Sequence, residues 1–419
     1  MARTSASDQE PREPLHLVVI GGGIAGCAAA AMAVDEDNVC VTLINAGLPL
    51  GGTCVNVGCL ASRRLMEAAR LLHQSTHNPM SGLEFTGKVT DFKAIMDDKR
   101  RFLATVQREE YEAYFKGLNN LEIITGHARL QNGHTVVVGK RTLEADAIIL
   151  ATGTYDHPLS IGGIKTTGYL TGESVLDLDE IPSSLVFVGA TEIGLVCAQI
   201  FARFGARVTL LEPGDTILDG VYGEELESQL AGYLREEGVT ILTGVEPGEV
   251  SRHREGIELD YRVGSKKETV RAEHLVMTMP RRARTDNLGL EEIGLQLDQR
   301  GFIEVDETQQ TNIPGVYAAG DVVGRTYHAH MAAHEGGLAA HNAVSHSRTA
   351  GHNPAAPLVV YTDPQAASVG WDEVQARARG FDADARTVPL SQVPSAVALH
   401  QTRGFITLVR DRRSDHIIG

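Results

Sequence analysis

An apolar stretch, Leu15 to Ile20 (LHLVVI), runs directly into Gly21-Gly22-Gly23-Ile24-Ala25-Gly26 and then into an alanine-rich run from Cys27 to about Val34. A second apolar stretch follows from Val39 to Ile44. Strand, G-x-G-x-x-G turn and helix in that order open a dinucleotide-binding fold. Gly21 permits the turn, Gly23 lets the backbone approach a pyrophosphate, and Gly26 allows helix and strand to pack closely. The helix N-terminus then faces the phosphates with unpaired N–H groups and its positive dipole end.

The pattern returns near residue 184. Ser184 to Val188 reads as a strand, Gly189-Ala190-Thr191-Glu192-Ile193-Gly194 as the turn, and the following helix runs to about Phe204. A further strand, Ala206 to Leu211, ends in Glu212, 23 residues after Gly189. A carboxylate there accepts both ribose hydroxyls of an adenosine and repels a 2′-phosphate, which favours NADH over NADPH. Thr191 replaces the middle glycine, so an inherited fold with impaired nucleotide binding is the competing reading.

Five cysteines occur, at 27, 40, 54, 59 and 197, too few and too irregular for a secreted disulfide scaffold. Cys27, Cys40 and Cys197 sit in apolar contexts and read as small buried hydrophobes. Cys54 and Cys59 share a glycine-rich segment, GGTCVNVGC. Their C-x4-C spacing suits neither a zinc knuckle nor a thioredoxin-type C-x-x-C. The flanking sequence offers no further soft ligand, and His73 and His77 read as ordinary helix and loop residues. A redox dithiol is the better reading.

The remaining chain bounds the partners. Its 419 residues suit two or three domains, and 44 glycines exceed the usual share of about 7%. Acidic residues outnumber basic ones 54 to 38, a balance that disfavours nucleic acid and anionic lipid. Arg281, Arg282 and Arg284 read as a solvated loop. Residues 1–14 read as a flexible polar leader without the apolar core of a secretory signal, and no apolar run of membrane-spanning length occurs, so a cytoplasmic protein is expected. Short strands are predicted over Leu121 to Leu130, His134 to Val138, Ala145 to Leu150, His274 to Met279 and Gly301 to Val305, with Thr152-Gly153 marking a chain crossing. The piece from about Pro357 alternates again and breaks off in mid-strand by pattern, as a truncated domain would.

GGGIAG, GGTCVNVGC and TNIPGVYAAGD (Thr311 to Asp321), in that order, resemble the pyridine nucleotide–disulfide oxidoreductases, and within them the mercuric reductase branch. CAQIFARFGARVTLLE, YTDPQAASVG and TRGFITLV lie close to that branch, and the similarity spans nearly the whole chain from residue 16. The resemblance implies an α/β fold of two Rossmann-like domains, for FAD and NAD(P), with a C-terminal α+β interface domain. The implied boundaries are 15–157 and 274–350 for the FAD domain, 158–273 for the NAD(P) domain and 351–419 for part of a dimerisation domain. It implies FAD held by Gly21, Gly23, Gly26, Asn45, Gly52, Thr53, Thr152, Gly153, Gly320 and Asp321, and NAD(P)H held by Gly189 and Glu212. Cys54 becomes the interchange thiol and Cys59 the flavin-side thiol, with Arg63 supplying the nearby positive charge. Electrons then run from NAD(P)H through FAD and the dithiol to a soft metal ion bound transiently by Cys54 and Cys59. A disulfide acceptor as in dihydrolipoamide dehydrogenase, a thiol oxidase, and a redox sensor without turnover are the alternatives. A homodimer is implied.

Departures from the family pattern cluster. Asn45 stands where the family has Glu, Arg63 where it has Lys, Ala61 where it has Pro, and Val196 where a Glu pairs with that Lys. Glu192 stands at the gate over the nicotinamide pocket, and Pro280 replaces a glycine. His330 and His334, one helical turn apart beyond Asp321, read as packing or surface residues rather than acid–base groups.

Overall fold

The computed structural model describes residues 13–157, 159–351 and 356–419. All but the last two residues of the expected leader fall outside them. The chain divides into two compact units: Met1–Cys54 with Val106–Tyr155 and Arg282–His352, and Val55–Thr105 with Asp156–Arg281 and Asn353–Gly419.

The first unit is built on a parallel sheet in the order Val316–Ala318, Ala147–Leu150, Leu15–Ile20, Val39–Asn45, Leu121–Thr125. Its central strands are apolar on both faces because both faces are covered. Helices Ile24–Val34 and Ala329–Ser345 cover one face through small residues. A Cβ on Gly336 would lie 2.1 Å from the Ala25 carbonyl oxygen, which shows how closely these helices approach. An antiparallel ribbon, Ala128–Leu130, Thr135–Val138 and Arg141–Glu144, packs into the core on the other face.

Two predicted strands differ. Leu121 to Leu130 is broken at Gly126, so its first half joins the parallel sheet and its second half starts the ribbon. Gly301 to Val305 forms no strand, only a bridge from Ile303 to Leu297. The Asp298 carboxylate accepts from the backbone N–H groups of Arg300 and Phe302 and draws that segment into a turn.

The second unit repeats the plan, with parallel order Thr240–Thr243, Arg207–Glu212, Ser184–Val188, His274–Met277, Leu170–Thr171. Helices Cys59–Thr76, Phe92–Val106 and Glu192–Arg203 share one apolar core on this unit. The α+β segment from Leu358 adds two hairpin pairs and the helix Glu373–Ala378, started by a capping box at Asp372. Its last residues do not continue a strand. A turn at Asp411–Ser414 reverses the chain, after which Ile418 donates its N–H to the Val409 carbonyl and Val409 donates its N–H to the Gly419 carbonyl. Two Rossmann-like units and a C-terminal α+β segment are the architecture expected. Among the described residues no helix is long and apolar enough to cross a membrane.

Candidate active site

The three glycines of the first turn have different reasons to be glycine. Gly21 has φ +115°, and a Cβ there would lie 2.2 Å from the Ala151 carbonyl oxygen. A Cβ on Gly26 would lie 1.8 Å from the Gly21 carbonyl oxygen, so strand and helix could not close. Gly23 has φ −75° and nothing within 4 Å of a built Cβ. Nothing inside the protein therefore requires glycine at 23. The space it leaves open lies at the N-terminus of helix Ile24–Val34, where N–H groups await an anion. This is the shape a dinucleotide pyrophosphate needs, and the residues present fit one.

Asn45, at the end of the second strand, braces this turn. Its amide oxygen accepts from the Gly22 N–H at 3.1 Å, and its amide nitrogen donates to the Leu48 carbonyl at 2.9 Å. Across the sheet, Gly320 adopts φ +78° and donates its N–H to Glu335 at 2.8 Å, while Asp321 accepts from the Thr154 hydroxyl at 3.2 Å. Thr152 donates to the Arg284 carbonyl, and Gly153 accepts from the Arg284 N–H. Glu335 is only 5% exposed, and burial pushes its carboxyl above the usual range. Sequence reasoning passed over Glu335, although a lone acid in an alanine–glycine helix face was the available signal.

The thiol segment is docked on the first turn. Gly51 donates its N–H to the Gly22 carbonyl at 2.8 Å and bridges Gly23, and a Cβ on Gly52 would meet the Gly23 Cα at 2.8 Å. Thr53 and Cys54 follow in the short helix Gly52–Asn56, and Cys59 opens the long helix Cys59–Thr76. Both thiols are half-buried, whereas Cys27 and Cys197 are buried as expected. Cys40, expected to be buried, is only partly covered, near the start of its strand on the face that carries Thr42 and Ile44. Cys27 donates to the Gly22 carbonyl at 3.3 Å, and burial pushes its thiol up to about 11.

Tyr111 joins this group. It lies on a π-helical stretch, Gln107–Glu112, a local form that occurs frequently at functional sites. Its phenol is pushed up to about 12, first by burial and then by the neighbouring Cys27 and Cys54. No spacing in the sequence pointed to it.

The second turn repeats the backbone of the first with a different filling. A Cβ on Gly194 would lie 2.4 Å from the Gly189 carbonyl oxygen, the counterpart of Gly26 against Gly21. Thr191 takes φ −74° and ψ 170°, close to the −75° and −173° of Gly23, and its hydroxyl caps the helix by accepting from the Gly194 N–H at 3.3 Å. Glu212 sits beside the turn, 2% exposed, accepting from the Ala190 N–H at 2.5 Å and the Gly214 N–H at 2.7 Å. Burial pushes its carboxyl up, and the two N–H donors oppose this. Glu192 accepts from the Tyr222 hydroxyl at 3.3 Å.

On the long thiol helix, the Arg63 guanidinium lies over the Tyr361 ring, 3.7 Å from its centroid. Val196 is 4% exposed and packs into the apolar core shared with Ala61 and Leu65. The basic cluster expected as a solvated loop is instead a short strand, Arg281–Ala283, in which Arg281 is half-buried 3.8 Å from Asp156; Arg284 donates to the Thr154 carbonyl. His334 contacts the Gly351 carbonyl. Among the described residues, no group of three or more His, Cys, Asp or Glu side chains is placed to hold a metal ion.

Two dinucleotide-binding frames, with a C-x4-C segment seated on the first, define a flavoprotein NAD(P)H-dependent oxidoreductase. The chain belongs to the pyridine nucleotide-disulphide oxidoreductase family, whose model matches residues 15–336 and whose dimerisation domain matches residues 356–419. FAD and NAD(P)H are cofactors typical of that family. The chain is 33% identical over 407 residues to a dihydrolipoyl dehydrogenase of Geobacillus stearothermophilus, covering 96% of this chain and 85% of that one. It is 32% identical over 426 residues to a mercuric reductase of Shewanella putrefaciens, covering 99% and 74%. Among solved structures, the HOCl-induced flavoprotein disulfide reductase RclA of Escherichia coli superposes with a TM-score of 0.83 at 25% identity, covering 96% and 88%. LpdA of Mycobacterium tuberculosis superposes with a TM-score of 0.86 at 23% identity over 96% and 88%, a likeness of fold.

Proposed function

We propose that this chain reduces disulfides, taking electrons from NAD(P)H through FAD into the Cys54–Cys59 pair. The observation that carries the reading is the seating of Gly51 and Gly52 on Gly23, the one glycine of the first turn whose open side has no internal cause. A thiol segment joined to the cradle of a dinucleotide is suited to exchange electrons with that group. When bound, the flavin supplies two-electron transfer between a nicotinamide and a disulfide.

The chain's own residues then do the following. Gly21, Gly23, Gly26 and the helix N-terminus hold the pyrophosphate, with Asn45, Gly52, Thr53, Thr152, Gly153, Gly320 and Asp321 around the rest of the cofactor. Gly189 and Glu212 hold the nicotinamide dinucleotide, with NADH preferred. In the reduced protein, the Cys54 thiolate attacks a substrate disulfide, forming a mixed disulfide and releasing one thiolate, which takes a proton. The Cys59 thiolate then attacks the Cys54 sulfur, closing the internal disulfide and releasing the second substrate thiolate. Tyr111, held neutral, stands close enough to Cys54 to feel its charge. Arg63 provides positive charge on the Cys59 helix. The segment from residue 356 supports a homodimer, and the compartment is the cytoplasm.

A soft metal ion is the second reading, favoured by mercuric reductases of 32–33% identity standing level with the dihydrolipoyl dehydrogenase. Anaerobic titration of the yellow protein with NADH and NADPH, followed by oxidised lipoamide, glutathione disulfide or Hg(II), tests both. Reduction by NADH with a long-wavelength thiolate-to-flavin band, absent in Cys59→Ser, and turnover with a disulfide are expected. Turnover with Hg(II) alone selects the second reading, and a flavin that neither nucleotide reduces overturns both.

A further inference from the structure

Arg63 and Arg64 follow each other on the thiol helix but meet different partners. Arg64 donates to the Asp98 carboxylate from Nε at 2.8 Å, so its charge is matched. Arg63 lies one helical turn after Cys59, on the same face, and its guanidinium rests on the Tyr361 ring at 3.7 Å. A ring face attracts a cation through its quadrupole and carries no net charge. Arg63 is exposed, and among the described residues it has no ion-pair partner, so the ring holds the guanidinium without neutralising it.

The segment that carries the ring is anchored close by. Two residues on, Asp363 is clamped by helix Glu192–Arg203: its N–H donates to Gln199 at 2.8 Å, its carbonyl accepts from Gln199 at 2.7 Å, and its carboxylate accepts from Arg203 at 2.8 Å. Most other charges on the elements packed around the thiol helix are paired locally. Glu67 pairs with Arg70, Lys99 and Arg100 with Asp177, and Arg203 with Glu237 and Asp363, whereas Glu192 accepts only from the neutral Tyr222 hydroxyl and keeps its charge. Helix Glu192–Arg203, packed on the same core, contributes the apolar Val196.

We propose that Tyr361 is a positioning residue for the dithiol chemistry: its ring face fixes the Arg63 guanidinium one turn from Cys59 and leaves that cation's charge unmatched, which favours the Cys59 thiolate. The proposal rests on the dithiol reading above. A cation in this place lowers a thiol's pKa and so raises its thiolate fraction.

The test is the pH dependence of the thiolate-to-flavin band in the two-electron-reduced holoprotein, with site-resolved iodoacetamide alkylation of Cys59 as a second readout. Tyr361→Leu is expected to move the midpoint up by about half a unit to one unit, with alkylation on the acid side about three- to tenfold slower. Tyr361→Phe, which keeps the ring, is expected to match the unsubstituted protein. Arg63→Gln shifts the midpoint at least as far, and adding Tyr361→Leu to it shifts nothing more. Should Tyr361→Leu fail to fold, Arg63→Lys, which loses the stacked planar fork, is expected to give an intermediate midpoint. An unchanged midpoint in Tyr361→Leu overturns the proposal, as does a shift of equal size on the Arg63→Gln background, which marks Tyr361 as mere packing. Absence of both band and Cys59 alkylation in the unsubstituted protein instead overturns the dithiol reading, and the proposal with it.

Discussion

Gly23 and Gly26 stand three residues apart in one motif, and alanine at each is expected to break a different property. At Gly26 a Cβ would lie 1.8 Å from the Gly21 carbonyl oxygen, roughly 1.5 Å short of ordinary contact. The obstacle is backbone, so no rotamer change relieves it, and overpacking of this kind costs about 3 kcal/mol at its upper range. Alanine returns about 1 kcal/mol through better helix propensity, which leaves a net loss of about 2 kcal/mol. For a unit of this size that lowers the melting temperature by about 4–8 °C. At Gly23 the φ of −75° suits any residue and the built Cβ meets nothing, so the flavin-free melting temperature is expected to hold or rise slightly. Its methyl group instead enters the pyrophosphate space, and flavin affinity is expected to fall at least tenfold. Scanning fluorimetry of the flavin-free proteins and fluorescence titration with FAD measure the two effects separately. Equal melting temperatures for all three proteins, or undiminished FAD affinity in Gly23→Ala, would refute the division of labour derived for this turn.

Four further outcomes are expected. Arg203→Met removes the buried guanidinium from Glu237, leaving it only Gln199 and an Arg403 guanidinium 3.5 Å away, and costs about 3 kcal/mol in denaturant unfolding. Burial raises the Glu237 pKa but Arg203 and Gln199 pull it down further, so the folded value lies below the unfolded one. That contribution is present above the unfolded carboxylate pKa of about 4.3 and is lost as pH falls through the folded value, so the penalty of Arg203→Met shrinks in acid. Thr191→Gly loses a few tenths of a kcal/mol of capping and clears the approach to the second turn, so NADH is expected to bind several-fold more tightly by calorimetry. Native Cys27, with its thiol near 11, is expected to resist iodoacetamide at pH 7.5 while Cys54 in the reduced protein reacts within minutes, as read by peptide mass spectrometry.

The two turns and the thiol segment were legible in the sequence because their constraints are local. A strand, three glycines at fixed offsets and a helix describe a backbone that must bend in a few residues, and the residue types record it. The parallel sheets were legible for a similar reason, since strands buried on both faces read as continuous apolar runs. Segments governed by a single side chain were not. The turn at Asp298 cancelled a strand that alternation alone suggested, and the break at Gly126 moved half of another into a different sheet. The π-helix carrying Tyr111 left no periodic signal, because one extra residue per turn is set by packing rather than by pattern.

By itself, the sequence determined that a C-x4-C cysteine pair accompanies two dinucleotide turns, and that Arg63, Val196 and Thr191 depart from the usual arrangement around them. Only the tertiary structure decided what those departures do. Backbone inside the protein excludes a side chain at Gly21 and Gly26 but not at Gly23, a distinction invisible in three identical letters because it depends on the distance to another backbone. Arg63 has a partner nearly three hundred positions away in Tyr361, and Glu212 has its carboxylate tied to the turn it flanks. Charge, hydrogen bonding and steric exclusion act through space over a few ångströms. A linear order of residues fixes which groups are available, and folding alone settles which of them meet.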